Sequence, residues 1–138
     1  MKFFAIFGLS LFLLGCAGVP TKSEIASADY GQNVAKEECI RIAKRFITSK
    51  MRDPTSVLFD GVKCQKGWRG DVPLAGVSTT FGYHFAGNVN GKNGFGGYAG
   101  ATPFAGIVRD DGEGARVVRY CMVRSTDEYG LCVPSMTR

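Results

Sequence analysis

Thr79-Thr80-Phe81-Gly82-Tyr83-His84-Phe85-Ala86-Gly87-Asn88-Val89-Asn90-Gly91 is the stretch that decides how this chain folds. Phe81, Tyr83, Phe85 and Val89 take alternate positions, with Gly82, His84, Ala86 and Asn88 between them. Side chains on a strand point to opposite faces in turn, so this period of two puts four large apolar groups on one face. A half-buried strand over 79–89 is predicted, its aromatic face toward a core. Asn90-Gly91 predicts a hairpin turn at its end, because both central positions of a two-residue turn favour positive φ.

C-terminal of this stretch, 98–109 and 115–124 read as two more strands joined at Asp110-Asp111-Gly112-Glu113-Gly114, and a short fifth strand is expected over 131–134. On the other side, Val57, Phe59 and Val62 suggest a first strand over 55–64. Gly67, Gly70, Pro73 and Gly76 mark 65–76 as a long loop. Before that, Ala35, Cys39, Ile42, Ala43, Phe46 and Ile47 recur at helical spacing, with Lys36, Glu37, Arg41, Lys44 and Arg45 mostly elsewhere. An amphipathic helix is therefore predicted over 33–51, with Asn33 as N-cap and Pro54 beyond its end. The expected fold is α+β: one N-terminal helix packed on a four- to five-stranded antiparallel sheet, as a single domain over 33–138.

Composition fits one such domain. Of 138 residues 45% are hydrophobic and 21% charged, which argues against disorder. The net charge of +5 is spread along the chain without a basic cluster interleaved with aromatics, so no nucleic-acid partner is expected.

Residues 1–15 hold Lys2, an apolar run from Phe3 to Leu14, and Gly15 before Cys16. These are the parts of a signal peptide, and the run is too short for a transmembrane helix, which needs about 20 residues. Leu13-Leu14-Gly15-Cys16 resembles the lipobox of bacterial lipoproteins, although Leu14 stands where that family often has a smaller residue. The resemblance implies cleavage after Gly15, a diacylglycerol on Cys16, and often a third acyl chain on the new amino terminus. Ala17 stands where an aspartate commonly signals inner-membrane retention, so the outer membrane of a Gram-negative envelope is the expected location. The small, polar run over 16–32 is expected to be a flexible tether behind the lipidated cysteine.

Cys39, Cys64, Cys121 and Cys132 remain, an even number in an exported chain, so two disulfides are expected. Three pairings are possible. Cys39 with Cys64, joining helix to first strand, and Cys121 with Cys132, closing the last hairpin, are preferred. No Cys-x-x-Cys pair accompanies the one histidine, His84, and neither a metal nor another cofactor is expected.

Eight of the twenty-five positions between Gly82 and Gly106 are glycine. Within them, Gly87-Asn88-Val89-Asn90-Gly91-Lys92-Asn93-Gly94-Phe95-Gly96-Gly97-Tyr98-Ala99-Gly100 resembles a segment of small bacterial envelope and prophage proteins, Gly-x-Val-Asn-x-Lys-Asn-x-Phe-Gly-Gly-Tyr-x-Gly. The Asp53-Pro54-Thr55-Ser56-Val57-Leu58-Phe59 stretch matches those proteins too, while Ala86 stands where several have a cysteine. The resemblance implies no particular activity. Chemically, the segment offers three amides (Asn88, Asn90, Asn93), one cation (Lys92) and two aromatics (Phe95, Tyr98) to a glycan or a protein strand, and Asn90, Lys92, Asn93 and Tyr98 are the residues expected to carry the binding. No carboxylate pair or Ser-His-Asp set stands out, so catalysis is not expected. The expected role is a membrane-anchored binding or assembly module of the cell envelope, with inhibition of a cell-wall-degrading, lysozyme-type enzyme as the alternative.

Overall fold

The computed structural model describes residues 19–70 and 79–122. Its centre is an antiparallel meander: β1 (Leu58–Arg69), β2 (Thr80–Asn90), β3 (Thr102–Arg109) and β4 (Arg116–Met122), side by side in chain order. A short helix, α1 (Lys22–Ser27), comes first in the chain. The main helix, α2 (Lys36–Lys50), covers one face of the sheet, and a 3-10 turn, Pro54–Ser56, leads into β1. The fifth strand expected over 131–134 lies outside the described residues.

The alternation in β2 builds the core. Phe85 and Val89 are fully buried, alongside Phe104 and Val108 from β3, Cys64 from β1 and Met122 from β4. Helix α2 contributes Cys39, Ala43 and Ile47, one per turn on one side. Gly106 stands opposite Phe85 in the β2–β3 ladder, and a Cβ there would collide with the Phe85 ring and the Arg119 carbonyl. Its bare backbone makes room for the largest core ring. The disulfide between Cys39 and Cys64, with Cα atoms 6.2 Å apart, staples helix to sheet as preferred from the sequence. Closing a loop of this length stabilises by about 3–3.5 kcal/mol in a chain-entropy account. Cys121 is also disulfide-bonded. Its expected partner, Cys132, lies outside the described residues.

Several expectations are corrected. The first strand does not stop at Cys64. It runs on to Arg69, pairing Gly67 with Gly82 and Trp68 with Phe81, because the long β2 offers a ladder that outweighs the loop tendency of one glycine. The N-cap of α2 is Ala35 without a side-chain cap. Asn33 instead accepts a hydrogen bond from the Tyr83 hydroxyl at 2.8 Å, while Val34 enters the core.

Of the tether expected over 16–32, residues 22–27 are helical, started by a capping box between Thr21 and Glu24. Asp29 to Gln32 are bonded to the domain. Arg109 donates to the Asp29 carboxylate at 2.6 Å, the Gln32 N–H donates to the Asp110 carbonyl at 2.7 Å, and Tyr30 meets Phe81 edge-on.

The second sheet face holds buried residues too. His84 and Arg69 are buried there beside Ala105 and Ile107. Burial pushes the His84 imidazole below its ordinary pKa, and the neighbouring Arg69 charge adds to the effect.

Candidate functional site

The connection between β2 and β3 is the outstanding surface feature. Asn90 ends β2, and Gly91 is buried with its α-carbon facing the Met51 methyl group. Residues 92–101 are then all exposed. The turn expected at Asn90-Gly91 is not there. Gly91 lacks positive φ, and the chain continues to a bridge between Lys92 and Tyr98 before reversing. Long-range contacts hold it straight at Gly91: the Lys92 N–H donates to the Ser56 hydroxyl at 2.9 Å, and Met51 fills the space where a side chain would be.

The reversal occupies Asn93 to Gly97. The Asn93 side-chain oxygen accepts from the backbone N–H groups of Phe95 at 2.9 Å and Gly97 at 3.1 Å. Two backbone bonds close the same ring, Asn93 N–H to the Gly97 carbonyl and Gly96 N–H to the Asn93 carbonyl. Gly96 supplies the positive φ of 81° that the reversal needs. Asp110 uses the same device before β4, accepting from the N–H groups of Gly112 and Gly114. Asn and Asp side chains that bond backbone two residues ahead stabilise turns in this way.

At the apex stands Phe95, 100% exposed. Tyr98 is 47% exposed, with the Lys92 ammonium 5.9 Å from its ring centre, within cation–π range. The Arg52 guanidinium lies against Gly94 so closely that a Cβ there would fall 2.6–2.9 Å from it. Asp53 sits nearby, its carboxyl held below the usual range first by the Thr55 hydroxyl, with Lys92 a lesser influence. The result is an aromatic-tipped projection, ordered by its own hydrogen bonds and flanked by cations.

The four residues singled out from sequence divide. Lys92 and Tyr98 pair across the projection with exposed side chains. Asn93 shapes the turn instead of facing outward. Asn90 turns its side-chain oxygen into the fold, where it is buried and accepts no hydrogen bond among the described residues. Phe95, an aromatic of the same segment, is not among those four. The signal that finds it is Asn93-x-Phe95-x-Gly97, an amide whose oxygen can reach both the second and the fourth following N–H. Cys16 lies outside the described residues.

A shallow depression of about 290 Å³ lies near the β1 irregularity between Asp60 and Lys63, lined by Gly61, Lys63, Asn88, Pro103 and Ala105 among others. Among the described residues that line it, Lys63 alone is charged. Among the described residues, no three His, Cys, Asp or Glu side chains gather to hold a metal ion, and no helix is long and apolar enough to cross a membrane. No protein-family model matches the chain, nor does any curated protein or solved structure.

Proposed function

We propose that this chain is an exported lipoprotein, held to a bacterial envelope membrane by acyl chains on Cys16, that presents the 92–98 turn as a binding element for an envelope partner. Support for the anchor comes from the leader over 1–15 and the Leu13-Leu14-Gly15-Cys16 segment. Two acyl chains give durable attachment where one gives only reversible binding. Ala17 in place of aspartate favours the outer membrane. The Cys39–Cys64 disulfide and a bonded Cys121 suit an oxidising compartment.

The observation that carries the binding reading is Phe95, wholly in solvent on a turn that several hydrogen bonds keep ordered. Burying a phenylalanine is worth about 1.5–3 kcal/mol, and holding it in place beforehand reduces the entropy lost on binding. Catalysis has no part in the proposal.

The test is crosslinking in intact cells followed by mass spectrometry, comparing the parent with F95A/Y98A. Loss of adducts from the double variant, with folding intact, supports the reading; an unchanged set of adducts sinks it. The same projecting shape keeps the inhibitor alternative in view, since a turn with an apolar tip can enter an enzyme cleft that a flat sheet face cannot. That reading expects stoichiometric loss of lysozyme-type activity when the protein is added.

A further inference from the structure

The partner of the projection can be narrowed by its shape and charge. Asn93 and Asn90 both turn their side-chain oxygens inward, so the projection lacks much of the amide array that would hydrogen-bond a sugar. What remains outward is one full phenyl ring, a half-exposed phenol and two cations, Arg52 and Lys92, against the single carboxylate of Asp53. Residues 92–101 are all exposed, and Phe95 and Tyr98 are the large exposed hydrophobics among them. Stable protein interfaces need about 800 Å² from each partner, more than one protruding ring and its neighbours supply. A bilayer interface has no such requirement. Aromatic rings settle at the headgroup level, and nearby Lys and Arg are drawn to anionic lipid.

We propose that the 92–98 turn is a second membrane contact, with Phe95 entering the headgroup region of an anionic bilayer while Arg52 and Lys92 face lipid phosphates. This rests on the lipid-anchor reading, because a contact this small is useful only where a tether already holds the protein close to the surface. Tethering makes the second contact intramolecular, so a weak site is occupied without high affinity of its own. Two points of attachment would fix how the sheet stands on the membrane more firmly than a single lipid anchor does.

The test uses the full protein purified from the membranes of an expressing bacterium and reconstituted with vesicles. One vesicle set contains phosphatidylethanolamine and phosphatidylglycerol; the other contains phosphatidylcholine alone. Phe95→Trp adds a reporter at a fully exposed position, and the parent, with only Trp68, supplies the baseline. The expected result is emission from the introduced indole that shifts to the blue and is quenched by brominated-chain lipid in the anionic vesicles. Raising sodium chloride to about 1 M, where the Debye length is about 3 Å, should reverse it. R52Q/K92Q in the Phe95→Trp background should reduce the quenching to the level of the neutral vesicles.

Emission from that indole that stays red and accessible to aqueous iodide in both vesicle sets overturns the inference. So does an unmodified Cys16 in the same sample, since the tether is then gone. A photocrosslinker at position 95 that captures a protein in cells would refute the lipid assignment while leaving the turn as a binding element. Capture of neither lipid nor protein would remove both.

Discussion

Replacing Asn93 by alanine separates the order of the projection from the stability of the domain. In the parent, one side-chain oxygen accepts from the N–H groups of Phe95 and Gly97 at 2.9 and 3.1 Å. A hydrogen bond contributes about 0.5–1.5 kcal/mol net, and both donors are exposed and can turn to water, so the low end applies to each. Together they amount to about 1–1.5 kcal/mol, or roughly a tenfold change in the local opening equilibrium. The expected effect of N93A is thus amide exchange about ten times faster at Phe95 and Gly97, read by NMR. The denaturant midpoint should scarcely move, because surface changes away from the core usually stay within about 0.5 kcal/mol. Asn93→Asp keeps the acceptor oxygen and should retain the protection. If N93A leaves both exchange rates unchanged, the side chain does not order the turn, and the case for a pre-arranged aromatic tip fails.

Other expectations concern the scaffold. C39A/C64A should lower unfolding stability by about 3 kcal/mol in urea titrations, with the helix losing its covalent link to β1. Gly106→Ala should destabilise strongly, by about 2 kcal/mol or more in the same titrations, because its Cβ meets the Phe85 ring and the Arg119 backbone, neither of which can withdraw. His84 is held neutral in the folded protein by burial and by Arg69, whereas the unfolded chain protonates it near the ordinary value of 6.5. Its contribution is therefore complete above that pH and is lost as pH falls below it, with a limiting slope of about 1.4 kcal/mol per pH unit. His84→Gln should flatten the stability profile just below about pH 6.5; an unaltered slope would show that other groups carry it.

The alternation of Phe81, Tyr83, Phe85 and Val89 was legible because packing on one sheet face imposes a period of two on the sequence itself. The same holds for Cys39, Ala43 and Ile47, whose spacing reports the side of α2 that meets the sheet. Residues 65–69 misled because Gly67 carries a local loop signal, while its strand conformation comes from a partner fifteen positions away, Gly82. Asn90-Gly91 misled for a related reason. Its turn preference yields to Met51 and Ser56, whose approach depends on where the end of α2 lies. Asp29 to Gln32 look like linker in composition, and only the positions of Arg109, Asp110 and Phe81 explain why they dock. His84 reads as the polar face of β2, and its burial depends on the second face of the whole sheet. Within the projection, Lys92 and Tyr98 were found from their chemistry. Phe95 was read as an aromatic of the same segment, but its place at the apex depends on Asn93 folding back on the chain.

Intact-mass analysis of the protein purified from membranes of an expressing bacterium tests the central claim most directly. The account expects a chain that begins at Cys16, heavier by a diacylglyceryl group and, with a third chain, by one further acyl group. A species that keeps residues 1–15, or one with an unmodified Cys16, would contradict it.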